Sequence, residues 1–592
     1  MGTPTLYLAN QSLFTSDVAM IKLLQCACVQ TLLCRFALYL AWLLFTVVFL
    51  WRLTLGVDHS DESYYAIAPV SWTRSNPVDT GNLSIHQFSG CITYPLIQAY
   101  AWITPSLHGL ILFLRCLYAI ASFTTAYCAW RLLRHHFPSP CSVFISMSIA
   151  LFIPFGLPAP SYNTLGALGC LSSLFLVLSV LDERRRDIRH QISSTDLLVC
   201  FVSAAALAVG IVSHPILLFL FPIMGLCLVF AYGNDFRIIV MWAIFVSVIG
   251  LFVGLLAIHH LGGPTQIRAM LAFVGSFDNT LGIVSKAKLA ASLLGKDLTY
   301  CLVLATLMVF GCVRAIYPAR MVSMGFSIAL TIASIWCASR WTGIPVLFGR
   351  GHDLVFLLTA ASLPELIAIA FRKNDISPVF PVIFITGIFG GVLIGTSATH
   401  ALYNFPLLGI ACVVAGFGIR SRPNNWANSL AETILAAGVC CMLGFASYQQ
   451  VYGEGIGTHL LTQRINHGPF AGLLTKPAKA KLMARMEAAI HAIPDDVRSV
   501  DCFGRLPGMY LHTPYELRSP FPYPLEEQLT ARTVPFLEQW YANNAFKPDA
   551  IIWFSDAFRI ELNHIQTEFL NENYRKIHDD SQGITVYTRL SP

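Results

Sequence analysis

Long apolar runs without charged residues, separated by short polar or basic loops, are the feature that most constrains this chain. Residues 197–234, for example, contain no Asp, Glu, Lys or Arg. Over the whole chain 55% of residues are hydrophobic and 12% are charged, and the mean hydropathy is +0.62, whereas soluble domains carry about 25% charged residues. Because lipid offers no partner to a free backbone amide, each run must be helical. The sequence therefore predicts an all-α polytopic membrane protein.

The runs predict about thirteen transmembrane helices, with uncertain boundaries. The predicted spans are 29–51, 108–130, 141–158, 163–181, 196–213, 215–232, 238–258, 298–316, 321–338, 354–371, 379–396, 403–419 and 427–447. The stretch 197–234 is too long for a single span, and we expect His214-Pro215 to form the tip of a helical hairpin between two of them.

Basic residues predict the orientation of these spans. If the N-terminus is cytoplasmic, the short basic loops all fall on the cytoplasmic side, among them the clusters 184–189 and 372–373, as the positive-inside rule requires. An odd number of spans then places residues 448–592 outside. We expect residues 1–447 to form the transmembrane module and 448–592 to form an extracytoplasmic domain.

The C-terminal segment has a different composition. Residues 476–490 predict an amphipathic helix that ends before Pro494. Short strands are predicted near 497–503, 551–554 and 584–587, between polar and Pro-rich loops. The segment is therefore predicted to be a small α/β domain.

Two predicted external loops, 56–107 and 259–297, are too long to be simple connectors. In the second, apolar residues recur near helical spacing beside Arg268, Lys286 and Lys288. An amphipathic helix on the membrane surface fits this pattern, and a loop packed on the protein fits it equally well.

Three carboxylates lie close together where the first span ends, at Asp58, Asp61 and Glu62. An apolar helical run starts at Tyr65, so we expect Ser60 to cap a helix with Asp61 and Glu62 in its first turn. Two interpretations of these acids follow. They are either structural residues at the start of a helix near water, or the centre of a catalytic site. The residues alone leave the two interpretations about equal.

An acidic pair followed by an aromatic residue, directly after the first span, resembles the first-loop signature of the GT-C glycosyltransferases. The closest groups are the protein O-mannosyltransferases and the bacterial transferases that add aminoarabinose to lipid A. The topology is similar too: a cytoplasmic N-terminus, a long first external loop, eleven to thirteen spans and often a periplasmic C-terminal domain. The tail segments 503–511 and 518–520 also resemble those of bacterial members.

The resemblance implies a chemistry. In this family a sugar is carried on a polyprenyl phosphate, and an acceptor group attacks its anomeric carbon, generally with inversion. A carboxylate acts as general base and cations bind the phosphate that leaves. Asp61 matches the catalytic acid of the family, with Glu62 beside it. Asp58 is a third candidate that the family pattern does not require.

Cations near the predicted external face are candidates for holding the phosphate. The loop between predicted spans nine and ten offers Arg350 and His352, although interfacial anchoring explains them as well. Arg115 lies inside the second span, where we expect it to face a polar cavity and pair with a first-loop acid, or to snorkel. Arg268, Lys286 and Lys288 are alternative phosphate ligands.

Polar side chains in other external turns complete the predicted site. Tyr65, Tyr162, Asn163 and His400 supply the hydroxyl, amide and ring groups that a sugar site uses, and each is also an ordinary turn residue. No Cys or His spacing predicts a metal site. No cofactor is certain, and a divalent cation stays open. Cys91 and Cys502 are both predicted outside the membrane, where a disulfide between them is a guess.

The apolar runs and the resemblance to the GT-C glycosyltransferases together imply a multi-pass protein of the bacterial inner membrane that acts as a hexosyl- or pentosyltransferase. Its partners would be a polyprenyl-phosphate sugar, an envelope lipid, glycan or protein acceptor, and membrane lipids, with no nucleic acid. One alternative is a transporter or flippase of lipid-linked sugar, against which the crowding of polar residues on one face argues. The other is an envelope glycan polymerase or ligase.

Overall fold

The structure is a computed structural model in which most of the chain is described. The described residues are 38–187, 191–276, 377–397, 426–449, 451–454, 457–504, 506–523, 532–543, 546–555 and 564–590, with a few isolated positions at 36, between 288 and 329, and at 414. The predicted spans 298–316, 321–338, 354–371 and 403–419 lie wholly or mostly outside these residues.

The chain divides into two compact units, residues 1–50 and residues 51–592. The described part of the first unit is helical and belongs to helix α1, Leu38–Leu53. Within it, the Thr46 hydroxyl donates to the Trp42 carbonyl at 2.9 Å. A threonine in an apolar helix often makes this bond to the carbonyl four residues earlier, because no water is near to accept from its hydroxyl.

The second unit begins with nine helices from the first predicted loop to the second. They are α2 Asp61–Ser71, α3 Gln87–Ile103, α4 Leu110–Leu133, α5 Ser139–Leu151, α6 Tyr162–Asp187, α7 Ser194–Ser213, α8 Leu220–Tyr232, α9 Phe236–His260 and α10 Gly263–Gly275. Two more long helices follow, α11 Val379–Ser397 and α12 Trp426–Gln449. Each predicted span that falls on described residues therefore contains a helix, but the span predicted at 141–158 is too long, because α5 ends at Leu151.

Four described segments are long and apolar enough to cross a membrane. They are Leu110–Leu133, Tyr162–Asp187, Ser194–Ser213 and Pro215–His260, the last of which contains both α8 and α9. The protein is thus mostly helical with four long apolar segments, compatible with a membrane protein, and the count of thirteen spans stays a prediction.

Helices α6 and α7 pack closely because glycines remove side chains from their contact. A Cβ atom at Gly169 would lie 2.6 Å from the Ala206 carbonyl oxygen, so only glycine permits this approach. Helix α7 starts with a capping box between Ser193 and Asp196 and ends at Ser213. A 3-10 turn then begins at Pro215, which confirms the predicted break between the two helices.

The C-terminal region contains a small sheet. Its strands are β1 Gln463–Arg464, β2 Leu474–Thr475, β3 Ser499–Phe503, β4 Glu516–Leu517, β5 Ala550–Phe554, β6 Tyr574–Asp579 and β7 Ile584–Arg589. Five strands form one mixed sheet in the order β4-β3-β5-β7-β6, and β1 pairs with β2 in a separate hairpin. The three predicted strands are confirmed as β3, β5 and β7, and β6 was missed because its exposed polar residues lack an apolar pattern.

Four α-helices accompany the sheet in the described part of this region. They are α13 Pro477–His491, α14 Gly508–His512, α15 Val534–Ala542 and α16 His564–Asn573. Helix α13 confirms the amphipathic helix predicted at 476–490, and it buries Met483, Met486, Ala489 and Ile490, which recur every three or four residues. The cysteines Cys91 and Cys502 are both free thiols, so the guessed disulfide is not formed.

The C-terminal region shares a hydrophobic core with the first loop. Val57 and Ile67 from the loop pack in one cluster with Met486, Met509 and Ile552. Backbone hydrogen bonds join the same parts, since Leu474 N donates to the Thr54 carbonyl at 2.8 Å. The predicted domain boundary at 447/448 stays a prediction, and residues on both of its sides contribute to this core.

Candidate functional site

The site is built on the first turn of α2, where Asp58 is the helix cap. Its Oδ2 accepts from Glu62 N at 2.7 Å and its Oδ1 accepts from Ser60 N at 3.0 Å. Ser63 Oγ donates to the Asp58 carbonyl at 2.7 Å. The expected cap, Ser60, makes no side-chain cap bond, because its hydroxyl donates to Asp58 instead. The Asp58 carboxylate therefore fixes the start of α2, with Asp61 and Glu62 in its first turn.

Glu62 forms a buried, two-pronged ion pair with Arg115. Arg115 Nε donates to Oε1 and Nη2 to Oε2, both at 2.6 Å, and the two side chains are 3% and 1% exposed. The remaining guanidinium hydrogens reach the carbonyls of Leu53, Leu55 and Gly56 at 2.7 to 3.0 Å. All five donors of Arg115 are thus used. The predicted pairing of Arg115 with a first-loop acid is confirmed, and the pair fixes the chain that leads into the loop.

Of Asp58, Asp61 and Glu62, Asp61 is the acid that neither caps α2 nor pairs with a cation among the described residues. It is half-buried, and no Lys, Arg or His lies within salt-bridge distance of it in the described part of the chain. The hydroxyl of Tyr452 donates to Oδ2, and Tyr523 forms a second side-chain hydrogen bond. Burial, together with the negative charge of Asp58, raises the pKa of Asp61 to about 7, against the opposing effect of Tyr523. The group can thus take up and release a proton near neutral pH.

An aromatic wall surrounds this carboxylate, formed by Tyr64, Tyr65, His86, Tyr162 and Tyr523. The Tyr65 and Tyr162 ring centroids are 5.7 Å apart, and His86 stacks on Tyr162 at 4.3 Å. Tyr64 and Tyr523 are 5.4 Å apart. Four parts of the chain supply these rings: helix α2, the N-cap of α3, the start of α6 and the segment after β4. The wall places the predicted residues Tyr65 and Tyr162 beside Asp61.

Buried polar atoms without partners lie behind Tyr162. Asn163 Oδ1, Ser213 Oγ and His214 Nε2 are buried, and none has a hydrogen-bond partner among the described residues. The His214 ring is 5.1 Å from the Tyr162 ring, so these atoms belong to the same neighbourhood. Because an unpaired buried polar group is costly, such a cluster favours a place for water or for a ligand with several hydroxyls.

The predicted phosphate-binding residues are not brought to the site by the described chain. Arg350, His352 and Lys286 lie outside the described residues, as does the predicted sugar-site residue His400, and Lys288 is described only as an isolated exposed position. Arg268 lies on α10 and is exposed. Two lysines near the first loop are committed to protein carbonyls, Lys476 to Glu454 and Lys479 to Val57. The phosphate contacts therefore stay predictions.

Sequence reasoning missed three residues from the C-terminal side of the chain. Tyr452 and Tyr523 reach Asp61, and Glu454 Oε1 accepts from Val57 N at 2.8 Å. A weak signal was present, because the polar segment 449–454 directly follows the last predicted span. No group of three His, Cys, Asp or Glu side chains in the described ranges is placed to hold a metal ion, and the need for a divalent cation stays open.

His59, between Asp58 and Asp61, is clasped by the C-terminal region. It is 3% exposed, its ring lies 4.9 Å from Phe470, and its carbonyl accepts from Gly508 N at 2.8 Å. Burial, with the positive charges of Lys479 and His512 adding to it, lowers the pKa of His59 well below its ordinary value. The ring is therefore a neutral packing group that connects the first loop to α14.

Gly508→Ala is expected to loosen this clasp. The new Cβ would lie 2.6 Å from His59 Nδ1, which is closer than van der Waals contact allows. The buried His59 ring would have to shift, so we expect the free energy of unfolding to fall by about 1–3 kcal/mol. Thermal unfolding and limited proteolysis in detergent measure the effect. Gly457→Ala, whose Cβ meets only the ring of His459, is the matched control, and equal stability of the two variants would contradict the clasp.

No family model matches the sequence, and a comparison with curated proteins finds no similar one. The resemblance to the GT-C glycosyltransferases therefore rests on the first-loop motif and the predicted topology. What the geometry adds is the separation of the three first-loop acids into a cap, an ion pair and an acid without a cation.

Proposed function

We propose that this chain is a GT-C type integral membrane glycosyltransferase. It moves a sugar from a polyprenyl-phosphate donor to an envelope lipid, glycan or protein acceptor at the outer face of the inner membrane, with inversion. The N-terminus lies in the cytoplasm and residues 448–592 lie outside. Asp61 is the general base, and Asp58 and Glu62 hold it in place.

The main support for this proposal is that Asp58, Glu62 and Asp61 have different hydrogen-bond and ion-pair partners. Asp58 is used in capping and Glu62 is saturated by Arg115, whereas Asp61 is half-buried, free of cations and has a pKa raised to about 7. A purely structural helix-start cluster gives no reason to keep one carboxylate unpaired beside another negative charge, since that arrangement costs stability. A carboxyl with a pKa near the working pH is what general-base catalysis needs.

The proposed reaction is a single displacement. An acceptor hydroxyl attacks the anomeric carbon, its proton passes to Asp61 Oδ, the bond between the anomeric carbon and the phosphate oxygen breaks, and the polyprenyl phosphate leaves. The aromatic wall and the unpartnered polar atoms of Asn163, Ser213 and His214 would surround the sugar and its acceptor. Arg350 and His352 remain the proposed ligands of the leaving phosphate.

Tyr452→Phe is expected to move the pH dependence of transfer upward. The Tyr452 hydroxyl donates to Asp61, and a hydrogen bond to the charged form of an acid lowers its pKa. Without it, the pKa of Asp61 should rise, so the rate falls severalfold at neutral pH and recovers at alkaline pH. Tyr94→Phe is the control. It removes a hydroxyl that donates to the Trp72 carbonyl in the first loop, and it should leave the pH profile unchanged.

Transfer of radiolabelled sugar from a panel of polyprenyl-phosphate donors to envelope acceptors tests the proposal. Purified wild-type protein should label at least one acceptor class in a donor-dependent manner. Labelled product should carry the anomeric configuration opposite to that of the donor. Absence of transfer with every donor, by protein whose thermal unfolding shows it folded, would overturn the enzyme class and favour a transporter of lipid-linked sugar.

A further inference from the structure

A second cleft lies away from the first-loop acids, between the start of α4 and the hairpin of β1 and β2. It encloses about 460 Å³ and shares no lining residue with the cleft beside Tyr64 and Tyr65. We call it the interfacial groove; its lining includes Tyr100, Leu112, Phe113, Cys116, Arg464 and Asn466. Small-molecule sites occupy about 300–1,000 Å³, so the groove can hold a headgroup and the first part of an acyl chain.

The walls of the groove are fixed by the backbone. Gly109 N donates to the Gly468 carbonyl and Ile111 N to the Pro469 carbonyl, both at 3.0 Å. These are the free amides at the start of α4, which would otherwise need water. Gly472 has a φ of +89°, and a Cβ there would lie 3.1 Å from Leu112 Cδ2. The hairpin and the helix thus face each other across a gap that no side chain from Gly472 fills.

The groove opens at the start of a candidate membrane span. Helix α4 is one of the four candidate spans, and Leu112 and Cys116 lie one turn apart near its start. Helix α3 ends beside it with Trp102 and Ile103, each 83% exposed. An exposed tryptophan at the end of an apolar helix is typical of the membrane–water interface.

The lining combines an apolar floor with one cation. Arg464 is exposed, and no carboxylate lies within salt-bridge distance of it among the residues that the structure places. The groove contains no Asp or Glu, and the amide of Asn466 lies at the same rim. An apolar channel with an uncompensated guanidinium at its mouth is complementary to an amphiphile with an anionic phosphate headgroup.

We propose that the interfacial groove binds an anionic phospholipid of the membrane. Its phosphate lies at Arg464 and Asn466, and one acyl chain runs along Leu112 and Cys116. Such a lipid would join the C-terminal region to the membrane beside α4. The proposal goes beyond sugar transfer and does not depend on it.

Lipid retention by the purified full-length chain tests the headgroup contact. The protein is reconstituted in nanodiscs of phosphatidylcholine with a minority of phosphatidylglycerol, extracted in detergent, and its bound lipids are counted by native mass spectrometry. Wild type should be enriched in phosphatidylglycerol, and Arg464→Gln should lower that enrichment about tenfold, as expected for loss of one charge-assisted contact. Arg575→Gln, on the exposed strand β6, is the matched control. Equal enrichment in Arg464→Gln and wild type would overturn the proposal.

A second pair of variants tests the acyl channel. Cys116→Trp should fill the groove and reduce retention of both lipids, whereas Ile120→Trp, one turn further along the same exposed face of α4, should retain them. Free glycerol phosphate should not displace the bound phosphatidylglycerol. Displacement by glycerol phosphate, or equal retention in Cys116→Trp and Ile120→Trp, would show that no acyl chain occupies the groove.

Discussion

Asp61→Asn should lower the rate of sugar transfer by about 10²–10⁴-fold, the usual contribution of a general base, while the protein stays folded. The asparagine can still accept the Tyr452 hydrogen bond and occupies nearly the same volume. It cannot take the proton of the acceptor hydroxyl. The comparison is made on purified protein with the donor that wild type uses, and thermal unfolding is recorded for both chains.

The same carboxylate should set the pH dependence of wild type. Because the base must be deprotonated, transfer should rise with pH and reach half of its plateau near the pKa of about 7. The effect of Asp61 on protein stability has the opposite sign to that of most aspartates. Because its pKa is higher in the folded state than in the unfolded state, the protein loses stability as pH rises from about 4 through 7. Asp61→Asn should therefore be no less stable than wild type at alkaline pH.

A matched control lies in the same loop. Asp79 is exposed and its only described side-chain contact is with Asn76 at 3.2 Å, so Asp79→Asn should transfer sugar at nearly the wild-type rate. Full transfer by Asp61→Asn would contradict its assignment as base and move that role to Glu62 or Asp58.

Arg115→Met is expected to give the largest loss of stability. It leaves the Glu62 carboxylate buried without a partner and deprives the carbonyls of Leu53, Leu55 and Gly56 of their donors. Removing one partner of a buried ion pair costs about 3–5 kcal/mol. Thermal or denaturant unfolding in detergent measures the change, and Glu62→Gln should show a loss of the same order.

The double variant Arg115→Met with Glu62→Leu removes both buried charges and replaces them with apolar side chains, so it shows how much of the loss in stability comes from leaving one charge unpaired. Since neither charge is then buried alone, it should be less destabilised than the sum of the single variants, and a double-mutant cycle gives the coupling. Lys576→Met, which breaks an exposed pair with Asp579, should cost nothing measurable. Additive single variants would contradict the buried pair.

Local patterns were enough to predict much of the fold. Long apolar runs predicted α4, α6 and α7, the Ser60-Asp61 start predicted α2, and the apolar spacing of 476–490 predicted α13. The cost of a charge inside a span likewise predicted that Arg115 would pair with a first-loop acid. Each of these rests on neighbours in sequence or on one strong energetic demand.

The arrangement around Asp61 could not be predicted in the same way. Which of the three acids caps the helix, which pairs and which stays without a cation depends on where Arg115, Tyr452 and Tyr523 arrive in space. No periodicity encodes those contacts. For the same reason the interfacial groove, formed by Leu112 and Arg464 from distant parts of the chain, has no sequence signature.

The order of synthesis gives the Tyr452–Asp61 contact a further meaning. The partners are 391 residues apart, whereas Arg115 and Glu62 are 53 apart. At roughly 5–20 residues per second on the ribosome, the ion pair can form within seconds, but the tyrosine follows Asp61 by roughly 20–80 seconds. An unfinished chain thus carries the motif without its completed surroundings. Under the proposed function, Asp61 would therefore reach its final pKa only after the C-terminal region has been translated and has packed against the first loop.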